Sequence, residues 1–439
     1  MPDKQTMVEA DLQIDGFTSQ GAGVGRMQGL VVFVPGALPG ETVRAQLLRG
    51  KKNFVQSRLK AILKPSPQRV MADCPLFGRC GGCQLQHASY QEQLRLKHDL
   101  VVGAVRRIGG VDTPVQPVLP ASQPLGYRNR IAYHALHIDN RIELGFFMQN
   151  SRVFIPATVC LLPVSPIRDL AKRLPGLIGS RLPALRDVVI RSNSSGELLM
   201  TLVCGEAGDY RQLAEELMAQ ETRLKAVWIN SGKPCYSIYG DKWQLAAGEE
   251  HFKDIIAGVN MKLAPASFTQ INHEQTGRLY ALVKDAIAPQ KDMTVLDLYC
   301  GAGAISLYLA KSVKQVVGVE SYAPAAADAE KNAVMNGVEN CRFLAGAAEE
   351  ILPKLAAEGL TADAVVLDPP RAGCDRAVLE ALVKISPEKI VYVSCDPATL
   401  SRDLHWLTDN GYKADTIQPV DMFPQTVHVE TVCLLSRSK

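Results

Sequence analysis

No apolar run in this 439-residue chain approaches the roughly 18–20 residues of a membrane-spanning helix, which excludes a helical membrane protein. Residues Met1–Ala10 are mixed charged and polar, which excludes a secretory signal and makes the cytoplasm the expected location. Internal repeats and low-complexity stretches are also missing, so the length has to be shared between two or three globular domains. Net charge is only +3 but unevenly placed: residues 1–110 hold 15 Lys and Arg against 8 Asp and Glu, and the remainder is mildly acidic. A basic front on an acidic back suggests an arm that meets polyanions. Without a secretory signal the 11 cysteines do not read as a disulfide framework, which leaves metal binding and catalysis as their uses.

Residues 1–64 read as a small β domain. Val8, Ala10, Leu12 and Ile14 alternate with polar residues, the period of a half-buried strand. A glycine-rich turn is expected over Gly21–Arg26, then strands over Leu30–Val34, Thr42–Leu48 and Val55–Ile62. This spacing predicts a barrel of the OB type. Arg49, Lys51, Lys52, Arg58 and Lys60 are candidates for its nucleic-acid face, and Pro65-Ser66-Pro67 reads as the exit linker. Residues 65–255 hold a cysteine cluster, an amphipathic helix over Tyr90–Gly103 and a mixed α+β region, rich in β-structure, without an enzyme signature. In the third domain, residues 256–439, the strands Thr294–Tyr299, Gln315–Glu320, Ala364–Leu367, Lys389–Ser394 and Thr431–Leu435 alternate with helical stretches such as Ala304–Ser312 and Ala325–Asn336. That alternation predicts an α/β fold with a parallel, doubly wound sheet.

Four motifs lie at strand ends of this third domain. Asp297-Leu298-Tyr299-Cys300-Gly301-Ala302-Gly303 joins a strand to a helix through a glycine turn, and Glu320 ends the next strand. An acid at that place suits the two hydroxyls of a ribose. The third glycine of a dinucleotide fingerprint is absent, so S-adenosylmethionine fits better than a dinucleotide. Asp368-Pro369-Pro370-Arg371 follows a strand and stiffens a loop at the same edge. Enzymes that methylate amino groups carry an aromatic residue where Arg371 stands, which argues against amino methylation. Ser394-Cys395-Asp396-Pro397 places a thiol between a strand and a helix N-terminus, a setting expected to favour the thiolate and nucleophilic attack; Cys300 and Cys374 compete for that role. His428-Val429-Glu430 precedes the last strand and offers a general base. Further upstream, Cys74, Cys80 and Cys83 stand within ten residues among Gly and Pro, with Cys160 far downstream. Such spacing suits zinc and iron–sulfur clusters alike.

Taken together, these motifs resemble the RumA-type RNA uracil-C5 methyltransferase family over nearly the whole chain. The resemblance implies a TRAM domain at the front and a 4Fe–4S cluster on Cys74, Cys80, Cys83 and Cys160. Through the segment Ala266–Asn272 it implies that Gln270 binds S-adenosylmethionine together with Tyr299, Gly301, Glu320 and Asp368. Cys395 is implied as the nucleophile that adds to C6 of uracil, and Glu430 as the base that removes the C5 proton. The chain departs from the family at Ala304, where some members carry Asn, and at Gln425, where His is common. The expected product is 5-methyluridine in RNA, 23S ribosomal RNA first and transfer RNA second, made without an obligate protein partner or a membrane.

Overall fold

The computed structural model describes residues 8–51, 53–139, 141–149, 151–236 and 238–438. Five strands at the front, β1 (Glu9–Phe17), β2 (Ala22–Met27), β3 (Leu30–Pro35), β4 (Thr42–Lys51) and β5 (Phe54–Lys64), close into a barrel in the order β1-β2-β3-β5-β4. Leu12, Ile14, Val32, Val34 and Val43 fill it. The segment expected as a glycine turn is mostly strand β2. Its glycines serve close packing: a Cβ on Gly23 would stand 2.9 Å from the Ala37 carbonyl, and one on Gly25 3.0 Å from that of Gln13. Nor is 65–67 a free linker, because Ser66 is buried and its N–H donates to Glu41, which also pairs with Arg69 at 2.6 Å. Lys52 and the side chains of Arg49 and Lys51 lie outside the described residues.

Helix α1 (Tyr90–Arg107) follows the cysteine loop. Ser89 caps it by accepting the Glu92 N–H. Its apolar residues Val101 and Val105 belong to the core of the C-terminal domain. The central sheet holds β6 (Arg130–Ile138), β7 (Arg141–Phe147), β8 (Phe154–Pro156), β9 (Leu185–Ser192), β10 (Leu198–Cys204), β11 (Leu224–Tyr236) and β12 (Tyr239–Gly248), in the order β12-β11-β10-β9-β6-β7-β8. Helices α2 (Ser165–Ile178) and α3 (Arg211–Gln220) cover one face with Ile167, Leu170, Leu174, Leu213 and Leu217. A hairpin, β13 (Phe252–Ile256) and β14 (Val259–Leu263), then packs Met261 and Leu263 into the C-terminal core.

That last core is a seven-stranded sheet between two helical layers. Its elements are α4 (His273–Ile287), β15 (Thr294–Leu298), α5 (Ala304–Ala310), β16 (Gln315–Glu320), α6 (Ala323–Met335), β17 (Cys341–Ala345), α7 (Ala348–Ala357), β18 (Ala364–Leu367), α8 (Arg376–Ile385), β19 (Lys389–Ser394), α9 (Pro397–Asp409), β20 (Tyr412–Val420) and β21 (Glu430–Arg437). Successive β15 residues face opposite layers: Val295 packs with α4 and α5 residues, Leu296 and Leu298 with those of α8 and α9. The strand order is β17-β16-β15-β18-β19-β21-β20. The sheet is not wholly parallel as expected, since β21 runs antiparallel to both β19 and β20. Residues 421–429 are too few for the dozen-residue crossover that a parallel return requires, so the chain turns straight back.

Candidate active site

Strand order reverses at β15, with β16 on one side and β18 on the other, so the carboxyl ends of β15 and β18 open a crevice. Tyr299 ends β15 at φ 66°, a left-handed conformation uncommon for a bulky residue, and its N–H donates to the Val319 carbonyl at 2.8 Å. Gly301 and Gly303 complete the turn with φ of 55° and 85°. A Cβ on Gly303 would meet Ala329 at 2.9 Å, whereas one on Gly301 would meet nothing within 4 Å. Open space therefore lies against the Gly301 backbone. Glu320 frames it: one carboxylate oxygen accepts the Gly301 N–H at 3.0 Å, the other the Tyr322 N–H at 2.7 Å. Burial, opposed by hydrogen bonds from Ser306, holds Asp297 up at about 7. Burial first and the Asp297 charge second raise Asp368 to about 7. Carboxyls at this strand edge favour a cationic ligand over an anionic one. The side chain of Tyr299 turns to Cys374 and hydrogen-bonds it. Gln270 sits in the bridge between sheets: its carbonyl accepts the Asn129 side-chain amide at 3.1 Å, while Ser267 donates to Asp328 of α6 at 3.2 Å.

The reacting side of the crevice depends on the antiparallel strand. Ser394 of β19 pairs with Thr431 of β21, so the next residues along, Cys395 and Glu430, stand opposite one another at the strand ends. Glu430 is buried with Oε2 unpartnered. Burial, then Asp368, raises its carboxyl to about 8 against the pull of Arg371. Cys395 is half-buried and its thiol is raised to about 11, by burial first and by Glu430 second, while Arg371 lowers it by charge and hydrogen bond. The expected thiolate shift from the helix N-terminus is therefore not present. Its N–H groups are already taken, because Asp396 accepts those of Ala398 and Thr399 at 2.9 and 3.1 Å. The competing thiols are worse placed: Cys374 is buried and raised to about 12, and Cys300 is buried and raised well above the usual range. Arg371 opposes the rise at Cys395, as Arg402 does more weakly at Cys374, while no cation offsets that at Cys300. Arg371 also donates to Nδ1 of His428 at 2.8 Å. Burial and that cation keep His428 neutral, at about 4, so it serves as acceptor here.

The loop that delivers Glu430 is held from three sides. Gln425, at φ 71°, accepts the N–H groups of Gln84 and Leu85 on its carbonyl and exchanges amide hydrogen bonds with Gln93 of α1. Tyr127 donates to the Pro424 carbonyl at 3.0 Å. Lys97 of α1 pairs with Asp421 and donates to the Phe423 carbonyl. Sequence reasoning missed these anchors because they join positions hundreds of residues apart. Arg371 was visible in its motif, but only as a missing aromatic residue.

Residues 254–438 match the family model for tRNA (uracil-5-)-methyltransferase, and residues 8–60 match that for the TRAM domain. An uncharacterized RNA methyltransferase of Halalkalibacterium halodurans is 38% identical over 441 residues, covering 97% of this chain and 96% of that one. One from Clostridium tetani is 36% identical over 440 residues, covering 97% and 96%. The chain belongs to the RNA uracil-C5 methyltransferase family. Among solved structures, the Pyrococcus abyssi tRNA (uracil-54, C5)-methyltransferase bound to S-adenosyl-L-homocysteine superposes with a TM-score of 0.75 at 26% identity, covering 97% of this chain and 99% of that one. The enzyme is thus an S-adenosylmethionine-dependent RNA methyltransferase with a TRAM barrel. No helix among its described residues is long and apolar enough to cross a membrane.

The four cysteines of the second domain converge in space. Cys83 is raised to about 12 by burial first, with Cys160 and Cys80 adding to it; Cys160 in turn feels Cys74 and Cys80. Arg128 lowers Cys80, Cys83 and Cys160, and its buried Nε has no partner. An orphaned guanidinium N–H beside three thiols fits an anionic thiolate-bound group. Among the described residues no three His, Cys, Asp or Glu side chains stand close enough to hold a single metal ion.

Proposed function

We propose that this enzyme, acting in the cytoplasm, forms 5-methyluridine at a uridine of 23S ribosomal RNA by covalent addition of Cys395 to C6 of the base. The observation that carries the reading is that β19 and β21, paired through Ser394 and Thr431, bring Cys395 within reach of the charge of the buried Glu430, whose Oε2 has no partner. Uracil C5 is a poor nucleophile. Addition of the Cys395 sulfur to C6 breaks the C5–C6 double bond and leaves enolate character at C5. Arg371 supports the thiolate that attacks. S-adenosylmethionine, held by Gln270, Tyr299, Gly301, Glu320 and Asp368, supplies an electrophilic methyl carbon. With both a methyl group and a proton on C5, Glu430 takes the proton and the C6–sulfur bond breaks, restoring the ring and releasing Cys395 as the thiolate. A carboxyl raised to about 8 is a stronger base than an ordinary carboxylate, which matches that task.

Cys74, Cys80, Cys83 and Cys160 would hold a 4Fe–4S cluster. The mutual influence of these thiols around Arg128 supports a shared anionic, thiolate-bound group. Anaerobic purification and metal assay should give iron; stoichiometric zinc without iron would refute the cluster.

The second reading is a transfer RNA substrate, favoured by the Pyrococcus abyssi relative, whose name specifies uracil-54 of tRNA. Mapping 5-methyluridine in ribosomal and transfer RNA from a strain lacking the gene separates the two. Loss at a 23S position with tRNA unchanged supports the first reading, and loss confined to tRNA supports the second. Unchanged 5-methyluridine in both would contradict each.

A further inference from the structure

A cleft of about 610 Å³ lies at the seam between the barrel and the cysteine loop. Three phenylalanines line it: Phe33 of β3, Phe54 of β5 and Phe77 of the cysteine loop. Each is half-buried. Phe33 and Phe54 stand 5.5 Å apart between ring centroids, while Phe77 is stacked against His87 at 5.2 Å. Gln56, Gln84 and Gln149 supply amides to the same walls. Gln84 donates to the Gly81 carbonyl at 2.9 Å, which fixes its amide, and leaves Oε1 buried with no partner. Among the described residues no Asp or Glu lines the cleft, and all its lining residues but Gln149 belong to the segment of the chain that carries the basic excess.

We propose that this cleft is a docking site for one unpaired nucleobase of the RNA substrate, stacked between barrel and cysteine-loop phenylalanines. Aromatic walls offer a face that any base can stack on, and amides offer hydrogen-bond partners to its edge. The volume falls in the ordinary range for small-ligand sites. The absence of carboxylates in the walls leaves nothing to repel the phosphates flanking such a base. A Cβ on Gly21, at the β1–β2 turn, would stand 2.8 Å from Gln84 and 3.2 Å from Val427, so barrel, cysteine loop and catalytic loop pack directly on one another here. A base held in this seam would fix the distance along the RNA between the barrel and the target uridine. The inference rests on the reading of the chain as an RNA-binding enzyme.

The test uses the full-length protein, a single-stranded RNA 12-mer of mixed sequence and a matching chain that lacks its bases, with affinity measured by fluorescence anisotropy across a salt series. Phe33→Ala on the barrel and Phe77→Ala on the cysteine loop should each weaken binding of the 12-mer about five- to a hundredfold, as expected for losing one base–aromatic stack. The salt slope should not change, because no phosphate contact is lost. Affinity for the baseless chain should also stay the same, and Phe77→Trp should retain affinity for the 12-mer. Unchanged affinity in both alanine variants would overturn the docking site while leaving the RNA-binding reading intact. Equal loss toward the baseless chain would also overturn it, since the defect would then not involve a base. If the unmutated enzyme binds the 12-mer with no salt dependence, the RNA-binding reading fails first and the docking site with it.

Discussion

Lys97 and Asp421 stand 324 residues apart in the chain and form an ion pair of 2.5 Å from which water is wholly excluded. The other Asp421 oxygen accepts the Tyr90 hydroxyl at 2.9 Å. Burial weakens the lysine's hold on its proton and Asp421 opposes that loss. The pair ties α1 to the loop that ends in Glu430. Lys97→Met should strand a buried carboxylate and cost about 3–5 kcal/mol of stability. The Lys97→Met, Asp421→Asn double variant should recover part of that, because no unpaired charge remains. Denaturant melts of the three proteins check this.

Arg371 acts on the thiol proposed as the nucleophile. It lowers the Cys395 thiol against burial and Glu430. Removing it should raise that thiol further, so the thiolate fraction at any given pH falls. For Arg371→Gln, the single-turnover rate at pH 7.5 should drop by about tenfold or more, since each 1.36 kcal/mol is one decade. The alkaline rise of the rate should move to higher pH. A pH–rate profile between 6 and 10 reads both effects.

Much of this architecture is legible from residues alone, and the exceptions have physical causes. Alternation of Ala10, Leu12 and Ile14 with polar residues announces the barrel, because one strand face is buried and the other wet, whereas Val8 precedes β1 and is exposed. The glycine turn and Glu320 announce the nucleoside crevice because both are local in sequence. Gly23 and Gly25 misled: their small size serves barrel packing, which sequence cannot tell from turn geometry. Strand direction at β21 was invisible, since a strand's residue pattern does not encode its polarity, yet that direction sets Glu430 opposite Cys395. The raised Cys395 thiol was missed because the helix N-terminus was counted and its occupation by Asp396 was not.

Glu430 should also mark the stability of the fold. Its carboxyl is raised to about 8, so between the ordinary carboxyl range and pH 8 the folded state binds more protons than the unfolded one. Stability therefore falls as pH rises through that window, and the full cost is in place above it. Glu430→Gln carries no such charge. Its melting temperature should exceed that of the unmutated enzyme at pH 9, and the gap should shrink toward pH 5.

Glu320 spends both carboxylate oxygens on backbone N–H groups around the open space at Gly301. Glu320→Ala should weaken S-adenosylmethionine binding by about 1.5–3 kcal/mol, the worth of hydrogen bonds to a charged group. RNA affinity should be largely preserved. Isothermal titration with each ligand separates this from general misfolding, which would lower both.

The covalent adduct tests the central claim most directly. The unmutated enzyme, Cys395→Ala and Glu430→Gln are incubated with substrate RNA and S-adenosylmethionine, then run on a denaturing gel. Cys395→Ala should form no protein–RNA adduct. Glu430→Gln should accumulate one carrying methylated RNA, because attack proceeds and the C5 proton has no base to take it. The unmutated enzyme should be trapped in the same way by 5-fluorouridine RNA, since fluorine cannot leave as a cation. An adduct that persists in Cys395→Ala but vanishes in Cys374→Ala or Cys300→Ala would contradict the assignment of the nucleophile. Failure to form any adduct with every variant would contradict covalent C5 methylation itself.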